Sequence, residues 1–426
     1  MFEQYQLDKP DNLVEFLENS IAEHGDRPYL EIKNKAGKYE WLTYREVGER
    51  VDNLRSGLAG IGIKQGDAVG IISNNSIEWA ICHFATAGIG AFYVPMYEAE
   101  LSSTWEYIVR DSGMKILFVS KKEIYDRVKD FKLSIPELQK IIIIEGQGND
   151  TMSELEALGA KNRVKSIHPK AEDVAVLVYT SGTTGDPKGV LLTHGNWTSN
   201  HHARAKAYPY FNPDDRTLSL LPWAHCFGLG ELHTMTAVAG SLGFMESVST
   251  IVDDMSRVRP TFLVAVPRVF NKVYDTLVTR VNNEGGLKKI LFDAGVEAAK
   301  ERRRLAEQGK RSFKTDIKFK IINKIVFKKI RDLFGGRLKL TLTGSATMNP
   351  EISRFFFDIG IPLYDAYGLS ETTPGISSNV PDCYRLGSVG RVIDKVRVVI
   401  DKSVVEPDAD DGEIVCYGPN VMKGYH

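Results

Sequence analysis

Cysteine is scarce and scattered: Cys82, Cys226, Cys383 and Cys416 are the only four in 426 residues, and no two form a C-x-x-C pair. That spacing argues against a disulfide framework and against a thiolate metal site, and suits a reducing compartment. No apolar run approaches the ~18 residues that mark a membrane-spanning helix. Met1 to Pro10 are polar and lack the apolar core of a secretory signal. Neither sign of charge is in excess, since 54 Lys and Arg face 55 Asp and Glu for a net charge of −1. With 43% hydrophobic residues the chain is not of a disordered class. What remains is a folded protein, expected in the cytoplasm, with mass for about two or three domains at ~150 residues each.

What is present centres on residues 179–190. Thr180, Ser181, Gly182, Thr183, Thr184, Gly185 and Lys188 lie there between two apolar runs, 174–178 and 190–192. Both runs are short and rich in β-branched residues, so the pattern predicts strand, loop, strand. Glycines let backbone N–H groups approach an anion, hydroxyls add donors and the lysine adds charge, which is the chemistry of phosphate binding. A surface turn would explain a short fragment of this composition; a twelve-residue loop between two buried strands is harder to explain that way. The Walker A spacing is absent.

Upstream, residues 29–42 read as a hairpin. Thr43 and Glu46 form a capping box for a helix bearing Val47, Val51, Leu54 and Leu58. Apolar runs then alternate with helical stretches as far as residue 144, which predicts an open, mostly parallel sheet covered by helices. Residues 145–170 read as a polar surface excursion. His201 and His202 are adjacent on a predicted helix and diverge, so they are expected at the surface rather than on a shared metal. An apolar strand breaks at Pro222 into Trp223, His225, Phe227 and Gly228. Spacing alone leaves open whether these line a ligand loop or belong to the core.

Residues 300–331 hold thirteen Lys or Arg and three Asp or Glu, a net charge of +10, which leaves −11 for the rest of the chain. Ile317, Ile321, Ile325 and Ile330 follow helical spacing in that segment. It reads either as the solvated face of core-packed helices or as a patch drawn to an anionic membrane. No nucleic-acid module accompanies the charge, so nucleic acid is not expected as a partner. Further on, a strand near 338–343 runs into Gly344, Ser345 and Ala346. Residues 361–373 then bring Asp365, Ala366, Tyr367, Gly368, Glu371, Thr372 and Thr373 to a strand end, where a carboxylate and hydroxyls beside phosphates suit Mg²⁺. From residue 385 the short strands predict a small β-barrel-like part.

Residues 179–190, 365–373 and 412–425, in that order and spacing, resemble three signature motifs of the adenylate-forming superfamily of acyl-CoA synthetases, luciferases and peptide-synthetase adenylation domains. Residues 43–46 and 74–79 match its N-terminal half, so the resemblance covers nearly the whole chain. Residues 221–225, 267–274 and the basic helical insertion resemble long-chain fatty acyl-CoA synthetases. The resemblance implies an α/β fold, the large N-terminal domain of that superfamily, with two helix-flanked sheets plus a small distorted β-barrel. Its approximate parts would be 1–170, 171–380 and 381–426.

It also implies activation of a fatty acid by ATP to acyl-AMP and then acyl-CoA, with ATP and coenzyme A as substrates and Mg²⁺ as cofactor. Thr180 to Lys188 would hold the β- and γ-phosphates, and Thr184 and Glu371 would lie near Mg²⁺. Gly344, Ser345, Ala346, Asp365, Ala366, Tyr367 and Gly368 would form the adenine pocket, with Tyr367 stacked on the base. Thr372 would contact the α-phosphate. His225 would stand beside the substrate carboxylate, with Trp223, Phe227, Gly228 and Gly344 toward the acyl chain. Lys188, His225, Glu371 and Thr372 are the implied catalytic set.

Two departures qualify the match. The family commonly reads Gly-Gly-Ala where this chain has Gly344, Ser345 and Ala346. Its ribose-binding Thr-Gly-Asp segment and the C-terminal domain with the adenylation lysine have no counterpart here, so a weakly active or inactive fragment of a longer enzyme is expected. A ligase for an aryl, medium-chain or steroid acid, or a non-catalytic nucleotide or lipid binder, would share these motifs. Chain length and oligomeric state stay open.

Overall fold

A computed structural model describes residues 10–34, 36–180, 185–406 and 409–426. Two mixed sheets carry the fold. The first has nine strands in the order Arg391–Val392, Gly375–Ser378, Leu363–Gly368, Leu340–Thr343, Phe262–Ala265, Arg216–Ser219, Ser241–Phe244, Pro28–Lys33 and Tyr39–Thr43. The second has seven, in the order Gly424–Tyr425, Lys188–Thr193, Val174–Thr180, Phe92–Met96, Ala68–Ile72, Ile116–Val119 and Lys140–Ile143. Their central strands run parallel. Each sheet draws strands from both sides of residue 171.

Local chemistry starts these elements. Ala68–Ile72 and Ile116–Val119 are buried throughout, as continuous apolar runs covered on both faces should be. Helix Tyr44–Gly60 begins at the expected capping box: Glu46 N–H donates to Thr43 Oγ1 at 3.2 Å and Thr43 N–H to Glu46 Oε2 at 2.7 Å. The predicted hairpin is strands Pro28–Lys33 and Tyr39–Thr43.

Three expectations change. Residues 145–170 contain a helix, Met152–Lys161, docked on Tyr44–Gly60. Its buried face is Met152, Leu155 and Gly159, and a Cβ on Gly159 would fall 1.8 Å from the Asn53 carbonyl oxygen. With glycine as one of the three buried positions, only two apolar side chains are left to mark the face. His201 is buried against Phe16, with ring centroids 4.9 Å apart, rather than exposed. Finally, residues 381–426 close no barrel among the described residues. Arg391–Val392 and Gly424–Tyr425 are two-residue strands that extend the edges of the two sheets, and Arg397–Asp401 pairs with Glu413–Tyr417 as a separate hairpin. Strands so short find their hydrogen bonds on existing sheet edges.

The basic segment is helical: Gly286–Glu307, Phe313–Ile322, a π-helical turn Asn323–Phe327 and Lys328–Leu333. Phe292, Phe327, Ile330, Phe355 and Phe356 share one core there. Among the described residues no helix is long and apolar enough to cross a membrane.

Candidate functional site

Strands Val174–Thr180 and Lys188–Thr193 pair antiparallel with Thr180 opposite Lys188, so both ends of the glycine-rich loop rise side by side. Ser181, Gly182, Thr183 and Thr184 lie outside the described residues. Gly185 has φ +119°, a conformation glycine adopts at no steric cost. The exposed Lys188 ammonium lies 5.5 Å from the centroid of the Tyr425 ring. Tyr425 reaches that position because Gly424–Tyr425 pairs with Leu191 and Val190. Its hydroxyl donates to Glu371 Oε1 at 2.9 Å.

Glu371 sits on the 3₁₀ turn Ser370–Thr372, just past strand Leu363–Gly368. The turn folds back tightly: a Cβ on Gly368 would lie 1.5 Å from the Pro374 carbonyl oxygen, which explains the glycine. Met422 N–H donates to the Glu371 carbonyl at 2.8 Å, and Thr373 Oγ1 donates to the Asn420 carbonyl at 2.8 Å. Thr372 departs from expectation. It is buried, and its hydroxyl accepts from Leu369 N–H at 3.0 Å and lies 3.0 Å from the Leu369 and Pro374 carbonyl oxygens. In this arrangement the hydroxyl is engaged inside its own turn.

Asp365 pairs opposite Thr343, and Ala366 and Tyr367 pair opposite Ser378 and Ser377. Tyr367 is half-buried at the strand end. Asp365 is buried, and burial pushes its carboxyl up to about 6. Gly344 is buried where Leu340–Thr343 ends. A Cβ on it would stand 3.1 Å from the Ala366 carbonyl oxygen and 3.3 Å from Phe227 Cε1. Ser345 and Ala346 are exposed. Ser345 has φ +65°, so the serine holds the left-handed backbone that favours glycine, the residue common at this position in the family it resembles.

His225 caps helix Cys226–Ala237, its Nδ1 accepting from Phe227 N–H at 3.2 Å. Burial lowers its basicity, so the ring is neutral near pH 7. A neutral ring whose Nδ1 accepts carries its proton on Nε2, and that nitrogen is left as a donor. Trp223, expected toward the acyl chain, is core: it is fully buried and packs edge-on against Trp79 and Phe244. Phe227 is half-buried with its ring edge against Gly344. Gly228 is buried in the first turn of the helix, close under the Pro222 carbonyl. The stretch after Gly228 carries the buried Glu231 and His233. Cys226 Sγ lies 4.0 Å from the Ser370 carbonyl oxygen and so joins this helix to the Glu371 turn.

Asn75 is a positioning residue that the spacing did not single out. Its Nδ2 donates to Ser219 Oγ at 3.1 Å and to the Leu221 carbonyl at 2.7 Å, and its Oδ1 accepts from Trp223 N–H at 2.8 Å. It therefore fixes the turn that leads to His225. The available signal was its place within residues 74–79. Tyr425 was likewise legible only as part of a motif.

These groups gather beyond the carboxyl ends of parallel strands Arg216–Ser219, Leu340–Thr343 and Leu363–Gly368, where open α/β sheets place ligands. Among the described residues no cluster of three His, Cys, Asp or Glu could hold a metal. A lone carboxylate such as Glu371 fits a Mg²⁺ ion that brings phosphate and water oxygens with it.

The family model described as AMP-binding enzyme matches residues 17–426. Fatty acyl-CoA synthetase A of Dictyostelium discoideum is 31% identical over 95% of this chain and 63% of its own length. Long-chain-fatty-acid–CoA ligase 5 of Mus musculus is 30% identical over 99% of this chain and 64% of its own length. The chain thus spans less than two thirds of these relatives. Among solved structures, a long-chain-fatty-acid–CoA ligase (FadD1) from Archaeoglobus fulgidus superposes with a TM-score of 0.76 at 21% identity, covering 98% of this chain and 76% of that one. The N-terminal domain of FACL13 from Mycobacterium tuberculosis superposes with a TM-score of 0.72 at 19% identity, covering 98% and 91%.

Proposed function

The chain belongs to the AMP-binding enzyme family, and from that premise we propose that it carries the nucleotide and acyl sites of a ligase that activates a long-chain fatty acid with ATP for transfer to coenzyme A. The observation that carries this reading is the contact chain from Lys188 through Tyr425 to Glu371, joined through Ser370 and Cys226 to the cap residue His225. It sets a cation, a carboxylate and a neutral imidazole donor around one region.

In the first step a carboxylate oxygen attacks the α-phosphorus of MgATP, the bond to pyrophosphate breaks, and acyl-AMP forms. Lys188 offsets charge on the departing pyrophosphate, with the 181–184 hydroxyls and amides as further donors. Glu371 would help hold the Mg²⁺ that arrives with ATP, and the ion would offset charge on the phosphates. His225 donates from Nε2 to the acid's carboxylate and orients it. Tyr367 stacks on adenine at the strand end. In the second step the coenzyme A thiol attacks the acyl carbon and AMP leaves. A contact between Thr372 and the α-phosphate requires its hydroxyl to leave the turn. Peripheral contact of residues 300–331 with an anionic membrane accompanies the proposal, as a source of amphiphilic acid.

The test is fatty-acid-dependent ATP–pyrophosphate exchange across a panel of long, medium, aryl and steroid acids, run with and without the C-terminal domain of a relative added in trans. Long-chain acids should support exchange best. Exchange with none of them sinks the proposal, and exchange with aryl or steroid acids alone replaces the substrate class.

A further inference from the structure

We infer that the outer face of residues 313–325 is a docking surface for an anionic lipid bilayer. This deepens the membrane contact named above and is independent of the ligase reading. Helix Phe313–Ile322 runs through the π turn Asn323–Phe327 into Lys328–Leu333. One side of this rod is core, since Ile322, Phe327 and Ile330 are buried. A second apolar row, four residues apart, is not: Phe313 is 82% exposed, Ile317 44%, Ile321 55% and Ile325 46%. Single exposed apolar residues are ordinary on protein surfaces, whereas a stripe over four successive turns is the kind that marks an interaction surface.

The cations of the segment divide in the same way. Those turned toward a neighbouring element are satisfied: Arg302 pairs with Asp316 at 2.9 Å, Arg303 with Asp358 at 2.6 Å, and Arg331 donates to the Ile359 carbonyl at 2.6 Å. A cavity of about 600 Å³ between the helices is lined by these groups, Phe319 and the 312–316 side of the helix. Thr315, Asp316, Phe319 and Asn323, which line it, lie on the opposite side of the helix from the stripe at ~100° per residue. Lys314, Lys318 and Lys324 fall on the stripe side at ~100° per residue. Among the described residues they enter no ion pair, and Lys328 beside them pairs only with Asp332 within its own turn.

Unpaired lysines bracketing an exposed aliphatic row match a bilayer interface. The apolar side chains enter the acyl boundary while the lysine stems lie flat and lift their ammonium groups to the phosphates. The charge asymmetry reinforces the orientation: a segment of net +10 is attracted, and the remainder at −11 is repelled. The aliphatic row is what argues against nucleic acid, which has no use for it.

The test uses the full chain and vesicles of phosphatidylcholine, alone or mixed with phosphatidylglycerol. Sedimentation with the mixed vesicles should exceed that with phosphatidylcholine by tenfold or more, fall as salt rises, and retain a residual apolar part. Ile317→Ser with Ile321→Ser should weaken binding by about tenfold, and Lys314→Glu with Lys318→Glu by more than that, with circular dichroism unchanged. Phe313→Trp, at a site too exposed to disturb folding, should gain fluorescence that brominated lipid quenches. Binding indifferent to the isoleucine changes, equal binding to both vesicle types, or an unquenched Phe313→Trp signal overturns the inference. So does RNA binding, or self-association in sedimentation velocity, that depends on the same residues when vesicle binding does not. No nucleotide or acid is present, so a failed ligase assay leaves this outcome untouched, and the reverse.

Discussion

The Tyr425 hydroxyl donates to Glu371 Oε1 at 2.9 Å, although the two residues are 54 positions apart. A two-residue strand on the edge of one sheet thereby orients a carboxylate carried by a turn of the other. Tyr425 is half-exposed, so water competes for the bond. Tyr425→Phe should keep the fold and weaken MgATP binding by roughly fivefold, the equivalent of ~1 kcal/mol for a hydrogen bond to an exposed charged group. Glu371→Gln should weaken it further, and only with Mg²⁺ present. Calorimetry with MgATP and with metal-free ATP separates these effects. Equal losses in both conditions would remove Glu371 from the metal's surroundings.

Phe227 and Ala366 meet across Gly344. An added Cβ would touch both at slightly less than ordinary contact distance, so one of them must yield by a few tenths of an ångström. Gly344→Ala should cost about 1 kcal/mol in stability and shift preference toward shorter acids, with Phe227→Leu in the same chain restoring part of both losses. Denaturant melts and an acid panel in the exchange assay read the two effects.

Glu231 is fully buried within hydrogen-bond distance of the Thr217 and Ser219 hydroxyls, at 2.5 and 3.1 Å. Burial pushes its carboxyl up to about 8, from an ordinary value of 4.5. The folded chain therefore keeps a proton that the unfolded chain has released. The stability this contributes is full below the unfolded value and is lost as pH rises through about 8. Glu231→Gln preserves shape and removes the titration. Its melting temperature should stay level from about pH 7 to about pH 9 while that of the parent falls. Parallel curves would refute the assignment.

Buried imidazoles act in the opposite direction. His83 and His201 are held down to about 3 and His194 to about 4, chiefly by burial. All stay neutral when folded and take up a proton on unfolding below the ordinary value of 6.5, so stability is lost as pH falls from there toward 3 or 4. Neither nitrogen of His201 has a hydrogen-bond partner, and its ring lies against Phe16. His201→Phe should therefore recover on the order of 2 kcal/mol at about pH 5 relative to pH 7, seen as a smaller shift in the denaturant midpoint.

Much of the site could be read directly from residues. The strand, loop, strand order around residues 174–192, the cap at Thr43 and the strand end at Tyr367 follow from local chemistry: glycine and hydroxyl content, capping pairs and apolar runs. Where the reading failed, the deciding contact lay far off in sequence. Trp223 and Phe227 have similar character and stand four residues apart. One fills the core against Trp79 and the other edges onto Gly344, and no periodicity separates those outcomes. Helix Met152–Lys161 escaped notice because glycine takes one of its three buried positions and only two are apolar side chains.

The sequence alone determined the types of chemistry available: a phosphate-type loop, a carboxylate turn, an imidazole after a strand break and a basic helical segment. Each is written in contiguous residues whose side chains and backbone preferences act locally. Tertiary structure decided which of them meet. It set Tyr425 on Glu371, Asn75 under the turn before His225, and His201 inside rather than outside. It also turned Phe313, Ile317, Ile321 and Ile325 outward while Ile330 went into the core. Burial and long-range pairing depend on which surfaces the two sheets leave open to each other, and that is a property of the assembled chain.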